Sequence, residues 1–467
     1  MTARLVGAAL LAAAFACGGS SETPADGGTC VEPVVSSALP ASQVLTFGQK
    51  GVGTKVSFDV PAGTASVVIV QQAVHAGASV VFNGTTLDNS TVPAGVTVPG
   101  GSVIFNDSAC DGPAPDGGAP PSCTPWTDPE TRLAFYGGGT PVTGAFTMPN
   151  TSAAVANGIP SGPWSFVVND YAAECSVTSG CTGGSTAGIY DVSVLLKPQS
   201  VTAHNLDVAF YIVGSGTGSL GALTATTAPN EPSVTRMIST LKQIYAQVGI
   251  TVRPPAFYDV SAADRARFGT SISIDRTGPC DELHQMFTLS GQHAGNTLNL
   301  FLVQAINQSA TDHSGTVVGI DGTIPGPSSL NGTVHSGAVV SMADLFFGTC
   351  LPGTQPDISR CGADSVAYIA AHEGGHFLGL FHTTESSGDF FDSVADTLKC
   401  PCLSCASTTD RPKCTQSNNT AVIHSSQCKT SGCGGGDNLM FWDFDNTATG
   451  VLTADQGAIM KANPLVQ

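Results

Sequence analysis

One stretch of the chain combines residue types whose spacing can do chemistry: His372-Glu373-Gly374-Gly375-His376-Phe377-Leu378-Gly379-Leu380-Phe381-His382. On a helix, residues four apart lie one above the other on the same face. The imidazoles of His372 and His376 can therefore reach one metal ion together. Glu373 adjoins the first of them, where its carboxylate can take a proton from a metal-held water and pass it to a leaving amine. Gly379 can adopt a positive φ, stop the helix and return the chain, so that His382 becomes a third ligand. Three protein ligands with a fourth position left open make a catalytic rather than a structural zinc site. The competing reading, three incidental histidines on a buried helix, has to explain a glycine and a third histidine at fixed offsets. The other seven histidines show no such spacing and read as surface or core residues.

Elements must exist to position this set. Ala363–Leu380 reads as the helix that carries the first two histidines. Leu298–Val303 is a wholly apolar strand, and Gly337–Met342 reads as another. Leu206–Val213 opens the same mixed α and β region as a strand. A helix follows, with Asn230 as N-cap, Pro232 in the first turn and apolar residues at helical spacing from Val234 to Val248; Gly249 closes it. Thr251–Arg253 starts the next strand, and Asp455–Ala462 reads as a terminal helix with Thr453 near its cap. Residues 41–198 read differently. Short β-branched runs alternate with Gly, Pro and Asn turns: Lys55–Val60, Ser66–Val70, Ser79–Phe82, Ser102–Phe105, Trp164–Asn169 and Tyr190–Leu196. That pattern predicts an all-β sandwich. Every candidate catalytic residue lies beyond residue 370, so this unit reads as catalytically dispensable.

The fold expected is thus multidomain. A signal peptide covers 1–16 and a flexible tether 17–40. A β-sandwich covers 41–198, and an α/β zinc peptidase domain covers 202–467. With 467 residues, 42% of them hydrophobic, the chain is long enough for two substantial cores. Seventeen basic against 35 acidic residues give a net charge of −18, which disfavours nucleic acid and anionic lipid as partners. Met1–Ala16 has one Arg, a short apolar stretch and then small residues, the pattern of an export signal. Cys17 follows at once, before Gly18-Gly19-Ser20-Ser21, and reads as a lipid attachment site. Membrane association would come through that anchor alone, which places the protein at the cell surface or outside the cell, on a bacterial envelope. The 15 cysteines fit an oxidising compartment, and removing Cys17 to a lipid leaves 14 that can pair. Cys350 and Cys361 bracket a short loop and are expected to bond, as are Cys110 with Cys123 and Cys175 with Cys181. Cys400, Cys402, Cys405, Cys414, Cys428 and Cys433 read as disulfides rather than a second metal site, with pairing left open. Asp389, Asp392, Asp396 and Asp437 could hold calcium, but solvated surface is the preferred reading.

The eleven-residue motif resembles that of the metzincin zinc peptidases, and Asn438-Leu439-Met440-Phe441 resembles the tight turn that places a Met beneath their metal. Within that clan the chain resembles the pappalysin-like family. The likeness runs through Gly379–Thr383, Asp396-Thr397, Asn438–Met440 and Leu452-Thr453…Gln456, over about residues 205–467. Two positions depart from it: Leu398 stands where the family has Pro, and Trp442 where it tends to have Tyr. The resemblance implies a zinc-dependent endopeptidase acting on protein or peptide. Its ligands would be His372, His376 and His382, its general base Glu373, and its turn residue Met440. It also implies a twisted sheet over the metal helix, with one edge strand lining the cleft. Gly337, Ala338, Val339 and Val340 are the expected edge, to which a peptide would add as an extra strand. Two rivals remain: a non-catalytic surface-binding protein with a vestigial zinc domain, and a zinc hydrolase of a non-protein amide. The retained Glu373 counts against the first.

Overall fold

The computed structural model describes most of residues 41–74, 143–214, 220–268, 271–274, 282–307 and 316–467, with Leu39 and short strand segments at 4–5, 35–36, 94–97 and 103–105. The expected strand Ser79–Phe82 lies outside these residues, as do Cys17, Cys110 and Cys123. The architecture is mixed α/β with several sheets.

The first half of the chain forms two antiparallel four-stranded sheets. One runs in the order β1 (Gln43–Gly51), β8 (Ile189–Pro198), β3 (Thr64–Ala73), β6 (Thr143–Met148). The other runs β2 (Lys55–Val60), β7 (Gly162–Val167), β4 (Ala94–Thr97), β5 (Val103–Phe105). Alternation in β2 is strict: Val56, Phe58 and Val60 are buried and the residues between them exposed, as a strand with one wet face requires. Those three meet Val67 and Ile69 of β3, Trp164 and Phe166 of β7 and Tyr190 of β8 in one core. Strands β3 and β6 of the first sheet are buried on both faces, whereas β1 at its edge is partly exposed. Val68 and Val70 of β3, Ala145 of β6 and Leu195 of β8 point away from that core and join the core of the second half. A short helix, α1 (Ser152–Asn157), follows β6 and is capped by Thr151. Downstream, the hairpin of Ala172–Ser176 and Gly180–Gly184 sets Cys175 opposite Cys181.

The second half is built on a five-stranded sheet in the order β10 (Ala256–Asp259), β9 (Val208–Ile212), β11 (Leu298–Val303), β13 (Ala338–Ser341), β12 (Gly319–Asp321). The first four strands are parallel and β12 is antiparallel to β13. This corrects the expected edge. Gly337–Val340 lie in or beside an interior strand paired on both sides, and the outer position belongs to Gly319–Asp321. The apolar run at 338–340 follows from its place between two neighbours and two covered faces.

Helix α2 (Pro232–Ala246) packs on helix α3 (Gly362–Phe377), which carries His372 and His376. The N-cap of α2 is Glu231 rather than Asn230, because Ala228–Asn230 close a 3₁₀ turn first. Asp364, fully buried in the first turn of α3, fixes this packing. It takes two bonds from Arg236 of α2, at 2.7 and 2.8 Å, and others from the Thr240 hydroxyl and the Asp357 amide. Asp364→Ala leaves a guanidinium in a nearly closed site without its anion. A loss of about 3–5 kcal/mol in unfolding free energy is expected, measurable by denaturant titration. Helix α4 (Ala454–Ala462) starts in a capping box between Thr453 and Gln456.

Four disulfides join described residues: Cys350–Cys361, as expected, and Cys400–Cys428, Cys402–Cys414 and Cys405–Cys433. Such a density belongs to an oxidising environment. Among the described residues, no helix is long and apolar enough to cross a membrane.

Candidate metal centre

Helix α3 is buried on every side. Its two adjacent glycines explain themselves by contact. A Cβ at Gly374 would lie 2.3 Å from the Tyr245 hydroxyl, which bonds the Ala371 carbonyl at 2.9 Å. A Cβ at Gly375 would lie 2.7 Å from the sulfur of Met440. The helix gives up propensity here so that α2 and the turn at Met440 can approach it. It ends at Phe377, three residues short of the expected Leu380, because Gly379 takes φ +108°. The chain then returns and brings His382 back.

His372, His376 and His382 converge. Their Nε2 atoms lie 2.9, 3.2 and 3.3 Å apart. Each Nδ1 is committed elsewhere: His372 to the Leu439 carbonyl at 2.6 Å, His376 to the Leu380 carbonyl at 2.7 Å, and His382 to both oxygens of Glu385 at 3.0 Å. Carbonyl and carboxylate oxygens only accept, so each Nδ1 carries a proton and each Nε2 is turned toward the other two. Burial, then the neighbouring imidazoles, hold His372 and His376 well below the usual histidine range, against a smaller opposing pull from the carbonyls they bond. The Nε2 lone pairs of His372 and His376 face each other at 2.9 Å with no proton between them, an arrangement that a cation satisfies. Tetrahedral zinc with bonds of roughly 2.0–2.1 Å sets its nitrogens roughly 3.3 Å apart, so the donor set fits that ion. These residues could hold a metal ion.

Glu373 lies fully buried beside this group. Neither of its oxygens has a hydrogen bond of ordinary geometry among the described residues. Burial, with the charge of Asp321 adding to it, raises its carboxyl well above the usual range; the Asp321 backbone amide opposes the shift. The edge strand β12 passes directly over the carboxylate: a Cβ at Gly319 would lie 2.4 Å from Glu373 Oε1. Only glycine leaves room there.

The turn at Met440 is held from three directions. Asn438 Oδ1 accepts the Met440 amide at 2.8 Å, and Thr383, next to His382, donates its own amide to the Met440 carbonyl at 2.9 Å. Asn438 and Gln456 of α4 exchange two amide bonds, at 3.0 and 3.2 Å. The Tyr368 hydroxyl reaches the Asn438 carbonyl at 3.2 Å. Leu439 thus presents its carbonyl to His372 from a fixed support. Trp442 packs into the disulfide-knit segment and bonds the Ile423 carbonyl.

The structure brings His372, Glu373, His376, His382 and Met440 together and leaves Gly337–Val340 in the sheet interior. The sequence reading missed Glu385, Gly319 and the Asn438–Gln456 pair. Glu385, three residues after the last histidine, carried a usable signal, since a metal-binding imidazole needs an acceptor for its other nitrogen. Glu385→Ala is expected to fold and to weaken metal binding by about 10–100-fold, read by competition with a chromophoric chelator.

A second group, Cys400, Cys405 and Cys433, is also compact enough to hold an ion. All three sulfurs are in disulfides, however, so no thiolate is left for a metal. Three of the four aspartates considered for calcium serve separate partners. Asp392 binds Lys399 and Thr397, Asp437 faces Lys429 at 3.1 Å, and Asp396 takes the Asp455 amide at 3.0 Å.

No protein-family model matches the chain, and no curated protein matches it.

Proposed function

We propose that this protein is a zinc-dependent endopeptidase of the metzincin type, pappalysin-like, which cleaves peptide bonds of extracellular proteins. It would be exported by the signal at 1–16, anchored through Cys17, and built of an N-terminal sandwich and a peptidase unit. One observation carries the reading: three imidazoles turn their Nε2 atoms onto one point, beside a buried carboxylate that accepts no hydrogen bond of ordinary geometry among the described residues. A binding protein with a vestigial centre has no need of that carboxylate.

When bound, zinc supplies Lewis acidity toward the scissile carbonyl and acidifies water at neutral pH. The chain's own residues do the rest. His372, His376 and His382 hold the ion, with their tautomers fixed by Leu439, Leu380 and Glu385. Glu373 takes one proton from the attacking water as its oxygen bonds to the carbonyl carbon. It returns that proton to the amide nitrogen as the carbon–nitrogen bond breaks, so the carboxylate is regenerated. The antiparallel edge strand Gly319–Asp321, close above Glu373, offers its backbone to an extended substrate, which is how a strand-adding cleft selects peptide. Incubating the full chain with a diverse peptide mixture tests the proposal. New internal termini should appear, and should vanish when a chelator is added and return with zinc. Cleavage unchanged by the chelator, or none under any condition, contradicts it.

A further inference from the structure

The N-terminal sheets hold none of the proposed ligands, yet one of them reaches the metal centre along two routes. In the β3–β8 pair, Ser66 stands directly opposite Lys197. Both side chains donate to the last turn of α4 and the segment after it. Ser66 Oγ bonds the Ala462 carbonyl at 2.6 Å. Lys197 Nζ bonds the carbonyls of Lys461 and Val466 and, at 3.1 Å, that of Asn463. The last carbonyls of a helix lack partners within it and favour a positive charge. Lys197 is 1% exposed, and burial pulls its ammonium down only to about 8, so it stays mostly protonated at neutral pH. A buried ammonium needs such partners to offset its desolvation. The cap of α4 is therefore supplied from the other half of the chain.

Helix α4 carries Gln456, which holds Asn438; the next residue, Leu439, orients His372. That is the first route. The second is direct. The side chain of Thr147 in β6 lies 3.4 Å from where a Cβ of Gly379 would be, at the turn that brings back the third histidine. Phe381, between the carbonyl that orients His376 and the ligand His382, is buried in the core shared by the two N-terminal sheets.

We infer that the N-terminal unit is a structural part of the metal centre, with Lys197 and Ser66 as positioning residues that act on His372 through α4 and Asn438. This rests on the proposed function only in that the three histidines hold a metal. It replaces the expectation that residues 41–198 are dispensable.

The test uses the full chain, with zinc affinity read by chelator competition and the cobalt(II)-loaded protein read by its visible spectrum. Lys197→Met should weaken zinc binding about tenfold, within the range for removing outer support of a ligand, and should alter the cobalt bands. Val260→Ala is the control. It opens a separate core that holds neither Phe381 nor any residue of α4, and should leave both readouts near wild type. In a Gln456→Ala background, Lys197→Met should cost no further affinity, because the route is already cut. Should Lys197→Met fail to fold, Ser66→Ala must show a smaller loss that likewise vanishes in that background. Affinity of Lys197→Met within twofold of wild type, an equal loss in Val260→Ala, or losses that multiply with Gln456→Ala would overturn the inference. Absence of metal from the wild-type protein would instead count against the three-histidine site itself.

Discussion

Glu373→Gln should yield a folded protein that still holds one metal ion and still binds peptide, but cleaves it at least about 10²–10⁴-fold more slowly. The amide matches the carboxylate in size and fits beneath Gly319, where there is no room for a larger group. It cannot accept a proton from water. The burial that raises the carboxyl of Glu373 is itself a cost to folding. The neutral amide removes that cost, so thermal stability should be equal to or above that of the wild type. Metal analysis and a peptide-cleavage assay on the same sample separate the outcomes. Near-normal turnover would remove Glu373 from the chemistry, and loss of metal would make it structural.

His376→Ala should lose the metal altogether, and with it all cleavage. The remaining two imidazoles lie 3.3 Å apart with no third nitrogen to complete the set. Because His376 bonds the Leu380 carbonyl, the turn around Gly379 should also loosen, and proteases should find the Leu380–His382 segment more readily. Dialysis against zinc followed by elemental analysis reads the first effect. Full occupancy in this variant would defeat the assignment.

Much of the metal centre was legible because it is local. Two histidines one helical turn apart, a glycine and a third histidine describe a helix that stops and returns, and the side chains converge as that geometry dictates. Strands with one wet face were equally legible: Lys55–Val60 alternates residue by residue and matches β2 end to end. The edge strand was not legible, for a physical reason. Gly319–Asp321 has three residues, all buried, too few to show a period, while the apolar run at 338–340 looks the same whether it has one neighbour or two. Gly374 lowers helix propensity, and only the Tyr245 hydroxyl packed against it accounts for it. Nor could spacing reveal that Ser66 and Lys197 reach α4, since nearly four hundred residues separate the Ser66 hydroxyl from its acceptor and no local pattern encodes such a contact.

Zinc X-ray absorption on the purified full chain tests the central claim most directly. The account predicts one zinc per chain, bound by three imidazole nitrogens and one further light atom at about 2.0–2.1 Å. A sulfur shell near about 2.3 Å would place the ion among the cysteines instead, and absence of bound zinc after reconstitution would contradict the account outright.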